Sequence, residues 1–134
     1  MPVPPANADA NVNARRPSPQ RTVHHGDAIA WLRAAGARAG SSVVTALPDV
    51  SELPALRLDG WRAWFEAAAL LTMQSIPDEG VAIFHQSDIK HAGLWVDKGA
   101  MVMRAAERAG MGLLFHKIVC RVAPGTATHG RAGY

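Results

Sequence analysis

SSVVTALPDVSEL, residues 41–53, is the stretch whose reading decides the fold. Val43, Val44 and Thr45 form a β-branched run suited to a buried, pleated strand. The run stops at Leu47-Pro48-Asp49. Proline fixes φ and withdraws a backbone donor, so a strand ends there and a stiff loop opens. In open parallel sheets, ligands bind in the crevice outside the carboxyl ends of the strands. Taken alone, the stretch is equally compatible with a plain connection from a strand to a helix, and its neighbours decide its weight.

Downstream, Asp59 is placed to cap a helix from Gly60 to about Ser75. Its inner face is Trp61, Trp64, Ala68 and Leu71, with Arg62 and Glu66 outward. Core packing is the expected role of Trp64, set against a base-stacking platform built by both tryptophans. Pro77-Asp78-Glu79-Gly80 is a turn. VAIFH, residues 81–85, is continuously apolar, as expected of a strand buried on both faces of a parallel sheet. The loop Gln86–Val96 carries Ser87, Asp88, Lys90, His91 and Trp95. A helix follows from Asp97 to Ala109, with Val102, Met103, Ala106 and Ala109 inward and Gly110 as its C-cap. Leu113–Arg121 then reads as a further apolar strand, and the remaining residues as a loop.

Upstream, Gly36–Gly40 is a turn and Ala28–Ala35 a helix with Ile29 and Leu32 inward. Asp27 is its natural N-cap. Val23-His24-His25 reads as a strand end. Residues 1–21 are rich in Pro, Ala and Asn and form a flexible tail, leaving 22–134 as one α/β domain. The order strand–helix–strand–helix–strand–helix–strand is that of a doubly wound, mostly parallel sheet. Three polar clusters follow strand ends: Gly26-Asp27, Leu47–Glu52 and Gln86–Lys90.

With 49% hydrophobic and 19% charged residues, the 134-residue chain is globular in composition. A net charge of +3 and a pI near 9.6 make nucleic acid a compatible partner without singling it out. One cysteine, Cys120, rules out an intrachain disulfide and suits a reducing compartment, with burial as a small hydrophobe expected. No apolar run approaches the ~18 residues of a membrane span. An intracellular, cytoplasmic setting is expected, although Arg15, Arg16 and Arg21 faintly suggest an organelle transit peptide. His24 and His25 point to opposite faces of a strand, and the other histidines lack ligand spacing, so no metal is expected.

GDAIAWL, SSVVTALPD, VAIFHQSDIK and LLFHKIVC, taken in this order, resemble the first half of the circularly permuted N4/N6 amino-methyltransferases of nucleic-acid bases. The resemblance spans about residues 22–134. It implies a Rossmann-like sheet, S-adenosylmethionine as cofactor and methyl transfer to an amino nitrogen. Gly26, Asp27 and Ala28 match the segment that contacts the cofactor's adenine, where a carboxylate suits an exocyclic amine. That role and helix capping need not exclude each other. Thr45 to Asp49 match the catalytic loop, in which a polar residue and a proline carbonyl hold the amine of a flipped base. Thr45 falls on the cofactor side and Pro48 and Asp49 on the catalytic side. Ser51, Glu52, Asp88 and Lys90 fall on the substrate side.

The match is partial. Ala46 stands for the family's polar residue, Leu47 for its first proline and Asp49 for its aromatic. Gly125 and Gly130 are too far apart to form the Gly-rich loop that holds the methionine end of the cofactor. The chain therefore corresponds to the N-terminal half of such an enzyme, with the edge of Leu113–Arg121 open to a second copy or a complementing polypeptide. Two expectations follow: a methyltransferase, or a non-catalytic α/β module that binds or dimerises through this edge.

Overall fold

Helix α1 (Ala28–Ala35) starts where the sequence places it, because the Asp27 carboxylate accepts the backbone N–H of Ile29 at 2.8 Å and of Ala30 at 3.3 Å. The computed structural model describes residues 18–120 and 122–126. Most of the expected tail, residues 1–17, and residues 121 and 127–134 lie outside that range. Before α1 no strand forms at Val23–His25. The His24 ring lies 5.6 Å from that of Trp31 instead, so the segment follows the helix surface. Ile29 and Leu32, expected on α1's inner face, are half-buried, as is Ala35.

Strand β1 (Val43–Thr45) and strand β2 (Ala82–Phe84) pair in parallel, Val43 opposite Ala82, Val44 opposite Ile83 and Thr45 opposite Phe84. Helix α2 (Arg57–Gln74) lies between them in sequence, which makes one β–α–β unit. Asp59 does not cap α2. A 3-10 turn at Pro54–Leu56 feeds into the helix, Leu56 occupies the cap position, and Asp59 falls in the first turn. At the amino ends of the strands, a Cβ on Gly80 would stand 2.5 Å from the Ser41 carbonyl oxygen, a close approach that only glycine allows.

The segment expected as a loop from Gln86 to Val96 contains a hairpin, β3 (Ile89–His91) and β4 (Leu94–Val96), antiparallel with Lys90 opposite Trp95. Its two-residue turn has Ala92 at φ +48° and Gly93 at φ +82°. Positive φ at both central residues is the hairpin-compatible geometry. Helix α3 (Lys98–Ala109) begins at its Asp97 cap, which accepts the Ala100 N–H at 2.8 Å, and ends at Gly110 with φ +70°.

The core lies between α2 and α3. Trp61 and Phe65 pack with Val96 and Met101, and a second cluster joins Ala69 and Met73 to Ala105. Facing alanines let the two helices approach closely. Glu66, expected to point outward, instead bridges to Arg104 of α3 at 2.6 Å. Trp61 is the fully buried tryptophan of the pair and Trp64 is only half-buried, the reverse of the expected emphasis. On α3 the fully buried positions are Lys98, Met101 and Ala105, while Val102, Ala106 and Ala109 pack partly buried around them.

Residues 113–120 adopt neither strand nor helix and are exposed throughout. Cys120 is exposed with them, not buried. Among the described residues, the expected run of parallel strands thus reduces to a two-stranded parallel sheet and a separate antiparallel pair within a mixed α/β fold.

Candidate functional site

The carboxyl ends of β1 and β2 meet at one residue that sequence reading missed, Lys98. It opens α3, and its side chain is fully buried. Its ammonium pairs with Asp49 Oδ1 in the loop after β1. Its backbone N–H donates to Asp88 Oδ1, in the loop after β2, at 2.9 Å. The ammonium also lies 5.8 Å from the centre of the Trp61 ring, a cation–π arrangement. The Trp61 indole N–H in turn donates to the Pro48 carbonyl at 3.0 Å. Glu52 closes the loop on itself by accepting the Asp49 N–H through Oε2 at 2.6 Å.

The logic of this cluster is electrostatic. A buried ammonium is costly unless paired and hydrogen-bonded, and Asp49 supplies the opposite charge. The loop that Pro48 stiffens is therefore held by a charge on α3 and an indole on α2. Each acid uses one named oxygen for this structural work: Asp49 Oδ1, Asp88 Oδ1 and Glu52 Oε2. Asp27 repeats the pattern, since both amides it caps fall on Oδ1. A carboxylate has about four lone-pair directions, so each keeps acceptor capacity for another donor.

Of the residues predicted for the site, Asp49 and Asp88 bond to Lys98, Pro48 to the Trp61 indole beside it and Glu52 to the Asp49 N–H. Thr45 ends β1, half-buried, with its carbonyl accepting the His85 N–H at 2.9 Å. Gly26, Asp27 and Ala28 are exposed at the start of α1, and the bonds of Asp27 are confined to its own helix. Lys90 stands on β3, its ammonium 5.8 Å from the Trp95 ring centre. Ser51 lines a cleft of about 770 Å³ that is walled by Val50, Arg57, Asp59 and His91 among others. A volume of this size is in the range of small-molecule sites. Arg57 sits there at φ +52°, a conformation that non-glycine residues rarely take.

Gln86 opens the polar cluster expected after β2, but sequence reading gave it no role of its own. It follows β2 directly, and its side-chain nitrogen is buried with no hydrogen-bond partner among the described residues. An unpaired buried donor costs about 1–3 kcal/mol, so this amide retains an unused capacity at the same end of the sheet. Nothing in the residue pattern of the sequence singled it out, because a glutamine after an apolar strand reads as a simple change to solvent. Among the described residues no helix is long and apolar enough to cross a membrane. Comparison with protein-family models, with curated proteins and with solved structures finds no match for this chain.

Proposed function

We propose that the chain has the function of an S-adenosylmethionine-dependent methyltransferase that acts on an amino nitrogen, with a nucleic-acid base as the substrate class and a Rossmann-like sheet as its fold. The observation that carries this reading is the joining of the loops after two parallel strands by Lys98, at the edge where such sheets take their ligands. Gly26, Asp27 and Ala28 would hold the adenine end of the cofactor. The fit rests on Asp27, whose cap bonds both use Oδ1 and whose Oδ2 faces no donor among the described residues. When bound, this cofactor supplies an electrophilic methyl group.

The chain's own residues then have separate tasks. Pro48 offers the second lone pair of a carbonyl already oriented by Trp61. Asp49 pairs with Lys98 through Oδ1 and keeps Oδ2 toward an amine. Thr45 lies at the strand end on the cofactor side, and Ser51, Glu52, Asp88 and Lys90 flank the substrate approach. Orientation of the acceptor nitrogen is what such a transfer needs most, and a doubly anchored loop provides it.

Calorimetric titration of the full chain with S-adenosylmethionine tests the reading. Micromolar binding is expected, weakened at least tenfold in Asp27→Ser, which keeps a capping oxygen but removes the carboxylate. Heat only at millimolar ligand, unchanged in Asp27→Ser, would overturn it. The second reading, a non-catalytic binding module, is favoured by one observation, the exposed apolar segment that follows α3.

A further inference from the structure

Residues 113–119 read Leu-Leu-Phe-His-Lys-Ile-Val and lie on the surface. Leu114 is 74% exposed, Ile118 88% and Val119 75%, and Leu113 and Phe115 are more than half exposed. Beside them runs a groove of about 730 Å³ whose walls include Val81 and Phe84 at β2, Met103 and Ala106 on α3, and Leu113 itself. So contiguous an apolar strip on a chain of this size marks an interface.

We infer that the segment is a homodimer interface, formed by antiparallel pairing of residues 113–119 with the same residues of a second copy about a two-fold axis at His116. The order of side chains selects this occupant. Antiparallel pairing centred on His116 sets Leu113 against Val119, Leu114 against Ile118, Phe115 against Lys117 and His116 against its own counterpart. Every aliphatic residue meets an aliphatic one. The one cation meets an aromatic ring, a pairing the single chain already makes, with the Lys117 ammonium 5.8 Å from the Phe115 ring centre.

Other registers lose this match. Centring the pair on Lys117 sets two lysines opposite each other, which is destabilising. Centring it on Phe115 sets Leu113 against Lys117. The preferred register is isologous, so the paired edge is used up at two copies. Pairing also supplies the ladder partner whose absence leaves this β-branched, aromatic segment irregular. The interface goes beyond the methyltransferase reading and stands whether or not the cofactor binds.

Sedimentation equilibrium of the full chain at about 100 μM should give twice the chain mass of 14.3 kDa. Ile118→Glu, at a position already exposed, should give the single mass, keep the helical bands of the circular dichroism spectrum and lose only the strand contribution of the paired segment. Register is read separately by disulfide formation in a Cys120→Ser background. His116→Cys should cross-link fully under mild oxidation, because the two positions face each other within disulfide reach. Ile118→Cys should not, because its counterpart is offset by roughly 13 Å along the pair. Four results would overturn the proposal: a single-chain mass for the unchanged protein, a ladder of larger species, a dimer that survives Ile118→Glu, or equal cross-linking of the two cysteine variants. Folding of the segment back beside its own β2 would register as the first of these.

Discussion

At the scale of single residues, the molecule depends most on the pair formed by Lys98 and Asp49. The lysine side chain is 2% exposed and the aspartate 32%, so the two ends of the pair are not equivalent. Removing the acid strands a buried cation, whereas removing the cation leaves an acid that can turn to water. Breaking a fully buried pair costs about 3–5 kcal/mol, and the partial exposure of Asp49 lowers the expected cost of Asp49→Asn to about 2–3 kcal/mol. Lys98→Met, which keeps the apolar stem against Trp61, should cost about 1 kcal/mol. The double variant should lose at least 1 kcal/mol less than the sum of the two, as urea unfolding of all four proteins would report. Additive losses would mean that the two charges are not coupled. Asp49 and its proline were legible in the sequence because a strand-ending Pro-Asp has a local signature. Lys98 was not, since a lysine between an N-cap aspartate and a glycine reads as a solvated first turn. Its burial is decided by Trp61, thirty-odd positions earlier and on another helix.

Among the elements, those with local end signals were legible and those needing a distant partner were not. Asp27, Asp97 and Gly110 mark the ends of α1 and α3, and the structure places those ends within a residue of expectation. The hairpin β3–β4 was hidden because its turn carries alanine where asparagine would announce two positive φ values. Residues 113–120 have the composition of a strand but no ladder partner among the described residues. At the amino ends of β1 and β2, the elements are tied by Glu79, whose carboxylate accepts the Gly40 N–H at 3.1 Å. That hydrogen bond, followed by one from the residue's own backbone N–H, holds its pKa below the usual 4.5. A depressed carboxylate contributes stability above its unfolded pKa and loses it as pH falls through the folded value. Glu79→Gln should therefore melt below the unchanged protein near neutral pH, and the gap should close as pH falls below 4.5. A gap independent of pH would assign the effect to the turn's shape and not to the charge.

For the whole molecule, the distribution of apolar surface is the feature that the α2–α3 core leaves unexplained. Trp61, Phe65 and Met101 are enclosed by two helices, while an apolar strip of similar length stays outside them. A small domain buries a modest fraction of its surface, so a strip covered by a second copy adds a large share to its stability. If folding and pairing are coupled in this way, mass action makes the melting temperature depend on protein concentration. For a chain of this size the midpoint should rise by about 3 °C for each tenfold increase in concentration. The same series on Ile118→Glu should be flat and should meet the unchanged protein's curve only at high dilution. Differential scanning calorimetry from about 5 to 500 μM covers the range in which a micromolar dimer would dissociate. A flat series for both proteins would show that the strip adds nothing to folding through a partner, and the stability of the molecule would then rest on the helix pair and its buried ion pair alone.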